Sequence, residues 1–454
     1  MPTRFDRSAI LSVIDGERRR FAAAHPASER LARDSRGHFL AGVPMHWMSD
    51  WGTPFPLFVA SAEGVTLSDA DGHRYVDFCL GDTAAMFGHS PAPVAAALAR
   101  AAPHGLSTML PSPDAPAVGR LLAERFGLPV WQLTATATDA NRAAIRWARA
   151  LTGRGRVLVF DGGYHGTVDD TFVRLDHGRT AHRPGLIGQQ ADLTRHSVAV
   201  EFNDLAALEA ALAAGDVACV LTEPGLTNCG MVLPQPGFLE GVRELTRRHG
   251  TLLILDETHT LSTGPGGWGR QAGVDADMLT VGKAIAGGLP AAVYGMSAEV
   301  ASRAETLLAT KEAGHSGLGT TLSANLFTLA ALRANLEAVA TPAAYLHMTG
   351  TASYLAHRLS ELIARRHLPW CVTQIGARCE FQFSPSPPAT AREAAAAMDG
   401  ELSLALHLFL LNRGVAITPF HNMMLCAPAT TREHVDTLAT ALDGAIAALA
   451  GTAA

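Results

Sequence analysis

The chain has 454 residues, 48% of them apolar and 17% charged, with 36 basic against 42 acidic residues and a net charge of −6. That composition belongs to a folded globular protein with room for two or three domains, or for one large core with a satellite. It offers no basic block for nucleic acid or an anionic membrane, and no uninterrupted apolar window long enough to span a bilayer.

The opening MPTRFDRSAILSVIDGERRRF is charged and amphipathic, without the apolar core of a secretion signal, and predicts a helix over 5–24. A Pro- and Trp-rich stretch, VPMHWMSDWGTPFPLFV, follows it. Gly64 to Phe78, GVTLSDADGHRYVDF, alternates like two strands joined by a turn at Asp71-Gly72. From about Pro91 to Ala334, strand-like runs (QLTA, VLVF, VACVLTEP, TLLILDE, MLTVG) alternate with Ala- and Arg-rich helical runs. This rhythm predicts an α/β fold, an open and mostly parallel sheet with helices on both faces. Residues 335–454 read as a smaller α+β domain with short strands such as CEFQF and AITPF, and SPSPPAT (Ser384–Thr390) reads as a surface loop. Cys79, Cys219, Cys229, Cys371, Cys379 and Cys426 are scattered without a CxxC pair, which predicts free thiols in a reducing cytosol and no zinc site.

Two apolar runs end on lone charges: LLILD at Asp256, and MLTVGK at Lys283. Burying either charge uncompensated costs several kcal/mol. In open parallel sheets ligands sit beyond the carboxyl ends of the strands, and five segments fall there: TATATDANR, DGGYHG, TEPGLTNCG, DETH and VGKAIAGG. One ligand satisfies all five, a phosphorylated, cationic aromatic ring carrying an aldehyde. Thr136, Ala137 and Thr138 lie where a strand hands over to a helix expected near Asp139, so free N–H groups and two hydroxyls suit a phosphate. Tyr164, after a Gly-Gly turn, suits stacking on a ring. Asp256 suits a protonated ring nitrogen, and Lys283 suits a Schiff base with the aldehyde. Each residue also has a plainer reading: a Thr N-cap, a core or surface tyrosine, a strand-end salt bridge, a surface lysine. The last fits poorly with the apolar AIAGGLPAAVYG and with a chain whose only other lysine is Lys311.

The DE pair, the GK downstream and GGYHG upstream together resemble the class III pyridoxal-phosphate-dependent aminotransferases of fold type I. The branch resembles glutamate-1-semialdehyde aminomutase and the β-amino acid and amine transaminases. The resemblance runs from the N-terminal helix to APATTREHVD. It implies a large cofactor-binding domain over 91–334 with a seven-stranded type of sheet, and an N-terminal segment, 1–90, that joins the small domain over 335–454. It implies Lys283 as the Schiff-base lysine, Asp256 as the pyridine-nitrogen partner, and Tyr164, followed by His165, on one ring face. Thr258 stands where valine is usual on the opposite face, and Glu223 matches the EP glutamate near the ring. Thr136-Ala137-Thr138 replaces a phosphate loop that usually reads Ser-Gly-Thr, and the missing glycine removes freedom for close phosphate approach. Thr321 matches a threonine that reaches the phosphate of the neighbouring subunit, which implies a homodimer with shared active sites.

Ping-pong transfer from an amine or amino acid to a keto acid or aldehyde follows from this set. An aminomutase or racemase would keep both Lys283 and Asp256. A nucleotide-binding dehydrogenase would need a GxGxxG after the first strand, which is missing. A non-catalytic binding protein would have little use for the lysine and the aspartate. Relatives that use β-amino acids carry arginines in the segments matching MHWMSDW and TPFHNMM. Here those segments supply Trp47, Trp51, Phe420 and His421 instead, with Asp82 in LGDTAAMFGHS. Aromatic walls beside a carboxylate predict a donor whose far end is not a carboxylate. In the plainer reading these residues pack a domain interface, and an arginine from elsewhere enters the pocket.

Overall fold

The computed structural model describes residues 5–451; the first four residues of the charged N-terminal segment and the last three of the chain lie outside them. The chain divides into two compact units. One comprises Ala92–Tyr345 with Pro388–Ala395; the other comprises the chain up to Pro91, Leu346–Pro387 and everything from Ala396 onward.

The larger unit is built on seven strands: β1 (Val130–Thr134), β2 (Arg156–Phe160), β3 (Ser197–Val200), β4 (Val217–Thr222), β5 (Leu252–Asp256), β6 (Met278–Val281) and β7 (Ala292–Met296). Their order across the sheet is β1-β7-β6-β5-β4-β2-β3. Only β7 runs against its neighbours, β6 and β1; the other pairs are parallel. The pleat explains the unbroken apolar runs, because alternate residues enter two cores. Val157, Val159, Leu252 and Ile254 pack with the helix Ala137–Thr152 on one face, whereas Leu158, Phe160, Leu253 and Leu255 pack with the helix Phe238–Arg248 on the other. The five expected strands all form. β3 and β7 join them, and the helix after β1 opens at Ala137, two residues before the expected start, because Thr136 caps it.

In the smaller unit the expected hairpin forms between Thr66–Asp69 and Arg74–Asp77, paired Leu67 to Tyr75, with Gly72 at φ 90° supplying the turn. All of CEFQF but its last residue lies in the strand Arg378–Gln382 of a three-stranded antiparallel sheet. AITPF contributes only Ala416, at the end of the two-residue strand Val415–Ala416, because Thr418 already turns back to bond Met423. The opening helix covers Arg7–Ala24, capped by Asp6.

Candidate active site

Strand register brings the polar strand ends of the larger unit together. Asp256 pairs with Thr280 on β6, and Leu255 with Thr222 on β4, so Asp256, Glu223 and the Gly282-Lys283 step leave the sheet at one edge. Asp256 is buried. Its Oδ2 accepts from Asn141 Nδ2 at 2.8 Å and lies 3.0 Å from His165 Nδ1, and its Oδ1 accepts from the Thr258 amide at 3.1 Å. Burial by itself would push this carboxyl up. The bond and charge of His165 outweigh burial, with help from Thr258 and Asn141, and hold the group down at about 2. Asn141 is fixed in turn by the Thr280 hydroxyl, 2.7 Å from its Oδ1. A buried carboxylate kept ionised in this way suits a cationic partner.

Glu223 is also buried. Its Oε1 accepts the Tyr164 amide at 3.2 Å and its Oε2 accepts the Thr227 hydroxyl at 2.5 Å. Burial raises its carboxyl above the ordinary range, although His165 and Thr227 pull the other way. Tyr164 keeps 40% of its surface exposed, enough to present a ring face. Glu257, beside Asp256, accepts from the amides of Trp268 and Gly269 and so pins the turn that follows β5.

The Thr136–Thr138 turn lies against both neighbouring loops. A Cβ on Gly282 would fall 2.7 Å from Ala137 Cβ, and one on Gly166 would fall 2.2 Å from Thr138 Oγ1, so both positions need glycine for close approach. Thr136 behaves as the plainer reading has it, capping the helix by accepting the Asp139 amide, while Thr138 Oγ1 accepts the Thr167 amide at 3.1 Å. The first amides of this helix have no partner within it, which suits an anion. Lys283 stands in the left-handed region at φ 48°, a strain of about 1 kcal/mol for a residue with a side chain. Its Nζ is in hydrogen-bonding contact with His259 Nε2. The Gly282 amide donates to Thr258 Oγ1 at 3.2 Å. An anion-binding helix end, a carboxylate for a cationic ring and an amine for an aldehyde fit pyridoxal phosphate group by group. Of the residues expected here, Thr136, Ala137, Thr138, Tyr164, His165, Glu223, Asp256, Thr258 and Lys283 thus fall on adjoining loops. Thr321 is exposed in the loop before the helix Leu326–Ala334. Asn141, Thr227 and His259 were missed. The signal for Asn141 was a polar residue on the apolar face of an amphipathic helix, and His259 stands openly in DETH.

The residues expected to line a substrate pocket lie in the smaller unit. Trp47 and Phe420, 44% and 47% exposed, meet edge-on with centroids 6.5 Å apart. Trp51 does not join them, packing instead against Phe21 and Phe55. His421 is buried with its Nδ1 3.0 Å from Glu380 Oε2. Burial pushes its ring pKa down, but Glu380 and then Asp82 outweigh that and raise it. Beside them Arg378, fully buried, donates to the Thr83 hydroxyl. It lies outside the two segments in which an arginine was sought.

The sequence matches the family model described as aminotransferase class-III over residues 47–446. A protein named glutamate-1-semialdehyde 2,1-aminomutase from Roseiflexus castenholzii is 33% identical over 399 residues, covering 86% of this chain and 90% of its own. The crystal structure of a glutamate-1-semialdehyde-aminomutase from Pseudomonas aeruginosa PAO1 matches with a TM-score of 0.96 and 46% identity, covering 98% of this chain and 99% of that one. A β-phenylalanine aminotransferase from Variovorax paradoxus matches at 0.85 and 30% identity, covering 96% and 97%.

Proposed function

Because the chain belongs to the class III aminotransferase family, with the fold type I architecture and pyridoxal phosphate as cofactor, we propose that it is a transaminase. It moves an amino group from an amine or amino acid to a keto acid or aldehyde. The observation that carries this reading is the buried, ionised Asp256 at the same sheet edge as Lys283, with a helix N-terminus beside them.

When bound, pyridoxal phosphate supplies an electron sink and an aldehyde that takes up the amino group. Asp256 holds a proton on the ring nitrogen by its charge, and His165 and Asn141 keep the carboxylate oriented and ionised. The amides of Ala137 and Thr138 would hold the phosphate, and Tyr164 and Thr258 would hold the ring. Lys283 Nζ would take the proton from the amine-bearing carbon of the substrate as general base and later give it up as general acid. The assembly we propose is a homodimer in which Thr321 reaches the partner's phosphate. In its support, Leu106, Met109, Leu110 and Leu322 are exposed, and the Leu326 amide donates to the Leu106 carbonyl, so the two segments adjoin. None of the six cysteines is in a disulfide, which supports a cytoplasmic setting. No helix among the described residues is long and apolar enough to cross a membrane.

For the donor, the aromatic Trp47 and Phe420, in segments that hold no arginine, support an amine whose far end is not a carboxylate. A second reading, an intramolecular aminomutase for a carboxylate-bearing amino aldehyde, is favoured by the names of the similar proteins and by buried Arg378. A donor panel separates them, scored by conversion of the cofactor to its amine form. Simple amines and diamines are expected to convert it fastest. Glutamate-1-semialdehyde or β-amino acids reacting far faster would instead establish a carboxylate-bearing substrate.

A further inference from the structure

His259 has no part in the roles set out above, yet its ring touches the Lys283 nitrogen. It sits three residues beyond Asp256, buried, at the start of the turn that follows β5. Its Nε2 faces Lys283 Nζ, and its Nδ1 lies 2.5 Å from Thr227 Oγ1. Asn228 Nδ2 also lies near the same Nδ1, but at 3.4 Å it is too distant to set the tautomer against the Thr227 contact. Thr227 owns a single hydroxyl hydrogen, and it donates that hydrogen to Glu223 Oε2. With that hydrogen committed, Nδ1 carries the proton in its bond to Thr227, and Nε2 presents its lone pair to the lysine.

Building on the transaminase reading, we propose that His259 is the proton acceptor of Lys283, held in the required tautomer by the relay Glu223–Thr227–His259. The transfer balances within the chain. The Lys283 ammonium gives one proton to Nε2, leaving a neutral amine and an imidazolium that carries hydrogens on both nitrogens. The positive charge moves from lysine to imidazole, and the Glu223 carboxylate faces it across Thr227. Asp256, His165 and Arg183 act on Glu223 by their charges, and Tyr164 by its backbone amide. A neutral Lys283 is required both to join an aldehyde and to take a proton from carbon. His259 thereby supplies the reactive form of the lysine without the solvent having to remove its proton.

The test reads capture of the cofactor, not turnover. Pyridoxal phosphate is added to the full-length chain over a pH series, and the growth of visible absorbance is timed for wild type, His259→Gln and Thr227→Val. Circular dichroism checks that each variant is folded. Below neutral pH, His259→Gln is expected to capture about tenfold more slowly than wild type, or worse, and to converge with it at alkaline pH, where solvent deprotonates the lysine. Thr227→Val, which keeps the imidazole but frees its tautomer, is expected to shift the same way by a smaller factor, and it carries the test if the histidine variant does not fold. A slowing that is equal at every pH would reduce His259 to a packing role, and unchanged rates would remove it altogether; either overturns the proposal. If wild type itself never captures the cofactor, the transaminase reading falls together with this one, whereas capture by wild type and unchanged variants sinks only the relay.

Discussion

Replacing Asp256 by asparagine tests the electron sink with almost no change of shape. The carboxylate accepts three bonds, from Asn141, His165 and Thr258. An amide keeps one acceptor oxygen and turns an N–H towards either the Asn141–His165 side or the Thr258 amide. A buried donor facing a donor costs about 1–3 kcal/mol, so the variant should fold but unfold at a lower temperature. Asp256 is held at about 2, against an ordinary 3.8. A depressed carboxyl contributes stability above its unfolded value and loses it as pH falls through its folded value. That contribution is on the order of 2 kcal/mol, and the stability gap between wild type and variant should close between about pH 4 and pH 2. The effect on chemistry is larger. Without the charge the ring nitrogen loses its reason to stay protonated, and the amine half-reaction, followed by stopped-flow absorbance, should slow by several orders of magnitude. A loss within about tenfold, or roughly 1.4 kcal/mol, would refute the reasoning and assign the ring nitrogen to another residue.

Lys283→Ala should abolish turnover while the protein folds and retains cofactor non-covalently. Amine transfer persisting without an added amine would contradict the assignment, with equilibrium dialysis reporting retention. Trp47→Arg should shift preference towards carboxylate-bearing donors in the same panel; a uniform loss on every donor would mean that the Trp47–Phe420 contact only packs. Thr321→Val should weaken cofactor retention in the assembled protein, and light scattering of wild type should give a dimer mass. A monomer that holds cofactor equally well would argue against shared sites.

The sequence was most legible where burial is symmetrical. β4, β5 and β6 are buried throughout because both faces are covered, and their apolar runs give way to polar residues near where the chain leaves the sheet. β3 is four residues at the sheet edge and gives little signal. β7 contains Gly295, whose missing Cβ makes room for the Trp131 ring, a tertiary reason invisible in a propensity reading. The lone charges Asp256 and Lys283 stood out because an apolar surrounding makes a charge expensive. Their supporting residues did not: Asn141 owes its importance to Asp256, and Thr227 to His259, both distant in the chain. His259 is a different case, since its position was visible and only the fold brings Lys283 to its ring.

The most direct measurement exploits a chain with just two lysines, Lys283 and Lys311. Protein purified with pyridoxal phosphate is reduced with borohydride, digested, and its peptides weighed by mass spectrometry. The account predicts the mass of the reduced cofactor on the peptide carrying Lys283 and none on Lys311. Label on Lys311, or on neither lysine in protein that still transfers amino groups, would contradict it.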